Sequence, residues 1–504
     1  MLQFDVNGQQ VEVPDDNGTL LDVLREHLGL HSVKDGCSPQ GQCGCCTVLV
    51  DGQPRVSCVT PARRVRGRSI TTLEGLPAPA REAWGQAFCD SGGSQCGFCT
   101  PGIILRLEGL RAKGGRDVSQ ALLAHLCRCT GWRTILDAWD AYANRAERPV
   151  RGDAGRRAAL EGRTLQQVAP EVALGEGGFA DDTAPADALV AVPDGSGGWA
   201  VGETLASARA ASGKVQGRRT TIDVTPPLEL PPGDWDVTLR TSWVEPAYLE
   251  IDASWCAPGG EPASPLANGG AFGGKLTSVV TSAARQLADE HGRTVRVVLS
   301  REDAVRLGPK RPPIAAGVNA DGTGVVRVVR TPGIAEAIKG VAPGLTVEEV
   351  DVPGPTTSAA IRAAGWAEAL ALLAAALGKA PVEVTSPDGA TARAEVGTDG
   401  IRVAVRCGEP LDEVVLRSYC VGAAHMALSW VTNEGLAVDP DGGIHDLTIR
   451  SFGILRAVDM PPVEVTIEPD DGPPVNGSDA VFAAVAAAAW ISHGTPTDWP
   501  LRVQ

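Results

Sequence analysis

The chain has 504 residues, enough for about three domains of ordinary size. A hydrophobic share of 43% and a charged share of 21% fit a globular protein and exclude a disordered one. The net charge of −16 repels phosphate backbones and anionic lipid, which excludes nucleic acid and membrane surfaces as expected partners and leaves proteins and small molecules.

The N-terminal stretch MLQFDVNGQQVEVPDD has neither the basic run nor the apolar run of a secretion signal. The longest apolar stretch, Ala480 to Ile491, is too short for a bilayer, so a cytoplasmic location is expected. LQFDV and QQVEV alternate apolar and polar residues around Asn7-Gly8, which predicts a β-hairpin. Thr19 caps a predicted helix, LLDVLREHL, whose leucines fall on one face. TVLV, an Asp51-Gly52 turn, RVSCV and SITTLEGL supply further strands, so residues 1–76 read as a β-grasp domain. Residues 77–147 turn helical, with Pro101 opening GIILRLEGL and with Trp132, Ile135, Leu136 and Trp139 on one stripe. The polar run RPVRGDAGRR predicts a tether, and residues 148–170 are read as a linker. Beyond it, short β-like runs such as VRVVLS alternate with Ala-rich helical runs such as WAEALALLAAAL. The fold class expected is α+β and multidomain.

Ten of the 13 cysteines lie before residue 130, a crowding that in a reducing compartment points to metal ligation. In DGCSPQGQCGCCTVLVDGQPRVSC, Cys37, Cys43 and Cys46 share one Gly-rich loop, and Cys58 lies on the strand after the next hairpin. A [2Fe-2S] cluster takes two thiolates per iron and is wrapped by backbone amides, which this loop is suited to supply. The plant-type ferredoxin spacing is C-x4-C-x2-C, and here one residue is extra between Cys37 and Cys43. The expected ligands are Cys37, Cys43, Cys46 and Cys58; a swap of Cys45 for Cys43 or Cys37 remains open. SQCGFCTPG and LCRCTGW bring a second set, Cys96, Cys99, Cys127 and Cys129, for which a second [2Fe-2S] cluster is expected and structural zinc is the competing reading.

Together these segments resemble the small iron-sulfur subunit of the molybdenum hydroxylases, the family of xanthine dehydrogenase, aldehyde oxidase and aerobic carbon monoxide dehydrogenase. The resemblance covers residues 1 to about 145 and rests on QCGFCTPG and CRCTG; Trp132 in place of Tyr and Cys45 in place of Ala are departures. It implies that the Cys96/Cys99/Cys127/Cys129 cluster lies beside a molybdopterin approached by Gln95 and Cys129, and that the other cluster faces a flavin. The later chain resembles the family's molybdenum-binding subunit in NGGAFGGKL, GEGGFADD, VEPAYLEIDASW, IRAAGWAEAL and GAAHMALSWVTNEGLAVDPDGGIHD, in the same order. That implies a remnant of its N-terminal, hammerhead-like domain at 171–240 and a shortened molybdopterin-binding-like domain at 241–504. In it Gly269, Gly270, Phe272, Gly273 and Gly274 would form the pterin loop. The same loop mimics G-x4-G-K of a phosphate-binding loop, but Leu276 replaces the Ser or Thr that would hold magnesium. Ser478 stands where the family has its catalytic Glu, and Asp479 is the neighbouring candidate base, too short and one residue out of place.

The expected function is therefore an electron-transfer subunit of a hydroxylase complex. Two [2Fe-2S] clusters would relay electrons from a molybdopterin-binding catalytic subunit to an FAD-binding subunit, and the C-terminal region would be a degenerate docking scaffold. Two alternatives stand beside it: a miniaturised, self-contained hydroxylase, and a non-enzymatic redox-sensing protein.

Overall fold

Alternating burial of Leu2, Phe4 and Val6 sets the first strand, Leu2–Val6, against the core, and the chain reverses through Asn7 and Gly8, both at positive φ, into Gln9–Val13. The computed structural model describes residues 1–15, 18–144, 152–213, 222–378 and 381–501. Within it the first sheet runs in the order Gln9–Val13, Leu2–Val6, Ser69–Thr71, Thr47–Val50, Gln53–Val56. Thr19 caps the covering helix as expected, in a reciprocal arrangement with Asp22. Cys58 is not on a strand: the last strand ends at Val56, and Ser57–Val59 form one turn of 3₁₀ helix. That turn points the Cys58 amide back toward Cys46.

The helices Ala78–Ser91, Thr100–Arg111 and Arg133–Asn144 follow. Trp84 ties them together, stacking on Tyr142 with ring centroids 3.8 Å apart and donating from Nε1 to Glu108.

Of the expected linker, residues 148–151 lie outside the described residues, and Ala154–Gly162 is a helix, not a tether. Arg157 and Glu161 are buried and paired at 3.0 Å, and Arg157 also donates to the carbonyls of Glu409, Pro410 and Val475. The run reads as solvated because the carbonyls that accept from Arg157 lie more than 250 residues away.

Three further sheets make up the remainder. A four-stranded sheet runs Trp199–Gly202, Leu189–Pro193, Val295–Val298, Ala253–Cys256, and a five-stranded one runs Leu345–Val350, Gly324–Val329, Ile314–Val318, Val237–Thr241, Asp498–Trp499. The first joins strands from both sides of residue 240, and Val237–Thr241 straddles it, so the structure has no seam at that expected boundary. The last sheet, Val382–Thr385 to Val463–Ile467, lies against the helix Ser478–Ser492, which packs on Glu413–Thr432. Among the described residues Glu413–Thr432, not Ala480 to Ile491, is the longest apolar helix, and by length and composition alone it is long and apolar enough to cross a bilayer. Here 89% of its most apolar stretch is buried inside the fold, as in a core helix.

Removing one member of a buried ion pair leaves the other charge unpaired in a dry site. Arg157→Ala is expected to cost about 3 kcal/mol or more in urea unfolding, against under ~0.5 kcal/mol for Arg156→Ala, whose side chain is exposed and 3.9 Å from Asp153. Equal costs would show that the helix does not bury Arg157.

Candidate metal centres

In the first site Cys37, Cys43, Cys45, Cys46 and Cys58 are all buried. Sulfur contacts run from Cys43 to Cys37, on to Cys58 and then to Cys46, whereas Cys45 shares a sulfur hydrogen bond only with Cys43. The amides of Gln40 and Gln42 donate to Cys37 Sγ at 3.2 and 3.5 Å, and the amide of Cys58 donates to Cys46 Sγ at 3.5 Å. With the Cys43 and Cys58 thiols and these two amides all donating to it, the Cys37 thiol is held well below its usual pKa. A sulfur so placed favours the thiolate that iron requires. The extra residue between Cys37 and Cys43 leaves Cys37 inside the sulfur group.

In the second site Cys99 is the N-cap of the helix Thr100–Arg111, and Cys127 and Cys129 lie in the turn before Arg133–Asn144. The sulfurs fall into pairs. Cys96 and Cys129 are 3.6 Å apart, and the Cys99 thiol donates to Cys127. Donation from Cys99 and from Thr130, whose Oγ1 is 3.1 Å away, brings the Cys127 thiol down to about 6. Among the described residues no three or more Cys, His, Asp or Glu side chains are arranged to hold a single metal ion. Paired sulfurs suit a dinuclear cluster, in which each iron takes two thiolates, better than zinc.

The two sites are joined through the main chain. Leu126, next to Cys127, donates its amide to the carbonyl of Cys43 at 2.9 Å. His125 lies flat against Gly44, where a Cβ would come within 2.5 Å of the ring, and its Nε2 is 3.2 Å from Thr47 Oγ1. Burial takes His125 down to about 3, so the ring is neutral and packs as an apolar plate.

The residues expected around a pterin have other tasks. Gln95 Nε2 donates to the Cys129 carbonyl and to Ser418 Oγ, both at 3.0 Å. Gly270, at φ 81°, lies directly on the second site: a Cβ there would stand 2.9 Å from Cys96 Cβ and 3.3 Å from Cys129 Sγ. A Cβ at Gly273 would meet the Ala360 carbonyl at 2.0 Å, and one at Gly274 would meet the Tyr248 ring at 2.8 Å. Gly269 abuts Gln166, and Phe272 lies under the Arg362 guanidinium. Lys275 is buried against Glu250 at 2.9 Å. The helix after the loop starts only at Val280, so the glycines do not open directly into a helix N-terminus. The cavity between this loop and Cys96, Cys99 and Cys129 measures about 10 Å³, and the next, between Arg128, Arg362 and Glu434, about 20 Å³. Each holds about one water, whereas a ligand of cofactor size needs some ~300 Å³ or more. As packed here, the gap between Gln95 and Cys129 on one side and Gly269, Gly270, Phe272, Gly273 and Gly274 on the other is far smaller than a molybdopterin.

Asp479 is no free base either. Its two carboxylate oxygens accept from Arg362 Nε and Arg163 Nη2, each at 2.8 Å, and Ser478 Oγ accepts from Arg362 Nη2 at 2.5 Å. The sequence reading missed Arg128, whose guanidinium is buried and bidentate to Glu434 at 2.5 and 2.7 Å. Its position between Cys127 and Cys129 was the available signal, because a side chain flanked by two buried cysteines is drawn into the interior with them.

Residues 4–69 match the 2Fe-2S iron-sulfur cluster binding domain family, and residues 72–140 match the [2Fe-2S] binding domain family. The chain is 39% identical over 140 residues to a protein described as the nicotinate dehydrogenase small FeS subunit of Eubacterium barkeri, covering 27% of this chain and 88% of that one. It is 39% identical over 143 residues to the xanthine dehydrogenase iron-sulfur-binding subunit of Escherichia coli, covering 27% and 89%. Against the xanthine dehydrogenase of Blastobotrys adeninivorans it is 37% identical over 209 residues, which is 36% of this chain and only 14% of that relative's length. The solved aldehyde oxidoreductase of Desulfovibrio gigas shares the fold over 97% of both chains, at a TM-score of 0.70 and 16% identity.

Cys45→Ala is expected to keep about four irons per chain and the electron paramagnetic resonance signals of two reduced clusters, whereas Cys37→Ala loses one signal and about half the iron. Loss of iron from the Cys45 variant would instead make Cys45 a ligand.

Proposed function

The chain belongs to the molybdenum hydroxylase family, and on that premise we propose that it relays electrons from a molybdopterin-bearing partner subunit, through two [2Fe-2S] clusters, to an FAD-bearing partner subunit. It is an oxidoreductase component with two [2Fe-2S] domains. The observation that carries the relay is the hydrogen bond from the Leu126 amide to the Cys43 carbonyl, which links the backbone of one thiol group to that of the other. An electron leaving the second cluster meets covalent bonds and one short hydrogen bond before it reaches the first, with no solvent gap between them.

The cluster ligands in this reading are Cys37, Cys43, Cys46 and Cys58 for the first and Cys96, Cys99, Cys127 and Cys129 for the second. Sulfur pairing supports one iron on Cys96 and Cys129 and the other on Cys99 and Cys127. Each reduction adds one electron and no bond, so what the protein supplies is thiolate, amide donors and exclusion of water. The small cavities beside Gly270 and Arg128 support a molybdenum centre on a separate subunit over a self-contained hydroxylase. Electrons from that centre would cross the Gly269–Gly274 loop at Gly270, whose backbone lies against Cys96 and Cys129. The C-terminal region then serves as cover and scaffold for the second cluster, with Asp479 and Ser478 held by arginine instead of acting on substrate. A reducing, cytoplasmic setting suits 13 buried cysteines of which no two are joined.

Purification of the chain with whatever accompanies it, followed by counting of iron, molybdenum and flavin in each polypeptide, tests the proposal. About four irons here, with molybdenum and FAD only in other polypeptides, is the expected result. Molybdenum retained stoichiometrically by the isolated chain would overturn the division of labour, and far less iron would overturn the relay itself.

A further inference from the structure

From Gly52 to Leu73 the chain carries five arginines and no carboxylate, although the protein as a whole has a net charge of −16. The structure turns this run into a surface beside the first cluster site. Arg55 is exposed on the edge strand Gln53–Val56, and Arg63 and Arg64 are exposed on the 3₁₀ segment Ala62–Val65. Arg66 is exposed and reaches Asp15 only at 3.9 Å. Among the described residues Arg55 and Arg64 have no carboxylate at ion-pair distance. Between them lies Val59, which directly follows Cys58 and is 57% exposed. Its methyls press on Gly41 of the cysteine loop, close enough that a Cβ on Gly41 would stand 2.8 Å from Cγ1. On the neighbouring Gln42, exposed Arg450 donates from Nε to the carbonyl at 2.9 Å, and its Nη2 donates to the Leu123 carbonyl at 3.0 Å. These are carbonyl contacts, so they hold the guanidinium in place and leave its charge uncancelled.

An exposed apolar residue next to a cysteine of a redox centre, with the uncancelled Arg55, Arg64 and Arg450 on the segments around it, is what a transient electron-transfer contact uses: charge steers the encounter and a small apolar patch seats it. At physiological salt the field of a charge reaches about 8 Å, so an approaching group senses the local arginines and not the distant net charge. We propose that the surface around Val59, Arg55, Arg64 and Arg450 is the docking face for an acidic redox protein that takes electrons from the first cluster. The proposal rests on the relay reading, with the first cluster as the exit. In the step, one electron leaves the reduced cluster, one iron is oxidised by one unit, and the partner's oxidised group is reduced by the same electron.

The sign of the surface is measurable with small oxidants. The full chain, reduced and freed of reductant, is mixed in stopped flow with ferricyanide or with hexaammineruthenium(III), and recovery of the cluster absorbance is followed at low and high salt. The wild-type rate with ferricyanide is expected to fall as salt rises. The double variant Arg55→Glu/Arg64→Glu is expected to react ~10-fold more slowly with ferricyanide and faster with the ruthenium cation. Lys339→Glu/Arg402→Glu makes the same change in net charge at exposed sites outside this surface, and is expected to shift either rate by no more than about twofold. If the two double variants behave alike, or the wild type prefers the cation, net charge governs access and the docking face is refuted. Every sample is first shown to hold about four irons. A chain without them refutes the relay, whereas a four-iron chain with the wrong charge response refutes only the docking face.

Discussion

The fold depends on how a buried guanidinium is neutralised. Arg128 stands between Cys127 and Cys129 and cannot leave the interior without dragging the second cluster's loop to the surface. An unpaired charge there would cost several kcal/mol. Glu434 removes that cost by accepting from both Nη atoms, and the Pro246 carbonyl takes Nε. Glu434 in turn is fixed by the apolar helix Glu413–Thr432, which ends two residues before it. The C-terminal core is thereby committed to presenting one carboxylate to the cluster loop. Around this pair the same segments are sewn together by main-chain acceptors: Trp132 donates to Leu455, Arg133 to Met460 and Pro461, and Gln40 to Leu447. The cluster-bearing segment and the region after residue 152 share one interior, which is why Ala154–Gly162 folds as a packed helix.

The space beside the second site is filled by the same device repeated. Arg311 is paired with Glu368 and lies over the Trp430 ring at 3.9 Å, Lys310 is paired with Glu245, Lys275 with Glu250, and Arg362 with Asp479. Each cation has a carboxylate of the same chain at ion-pair distance, and close packing leaves only water-sized gaps. The glycines of NGGAFGGK have a structural use in this setting. At Gly270 the bare backbone lies on Cys96 and Cys129, and a side chain there would push the loop away from them, while one at Gly273 would strike the Ala360 carbonyl.

What was legible in the sequence was local or carried by fixed chemistry. The hairpin at Asn7-Gly8, the Thr19 cap and the helix opened by Pro101 depend on neighbours a few residues away, and the cysteine spacings depend on the geometry of iron and sulfur. The rest depended on distant partners. Arg157 reads as a linker residue until Glu409, Pro410 and Val475 are placed around it. The strand Leu189–Pro193 reads as part of one unit until it pairs with Val295–Val298. The glycine loop was recognisable as a motif, but its occupancy was not, because that is decided by the atoms of Cys96, Ala360 and Tyr248 on its other side. Spacing specifies which groups a loop offers, and packing decides whether anything is left to accept them.

The two sites also differ in the field a cluster meets, and the difference has a direction. Reduction adds a negative charge, so it is favoured where nearby cations are uncancelled and disfavoured where the surroundings are dry and neutralised. At the second site the closest guanidinium, Arg128, is cancelled by Glu434, and the cover contributes the further neutral pair Lys275–Glu250. At the first site Arg450 is held only by carbonyls, the Gln40 and Gln42 amides point at Cys37, and the loop at Gly41 reaches the surface under Val59. Uncancelled cations and partial exposure favour the reduced form at the first site. The first loop is also the one of the two on which an exposed apolar side chain and arginines converge among the described residues.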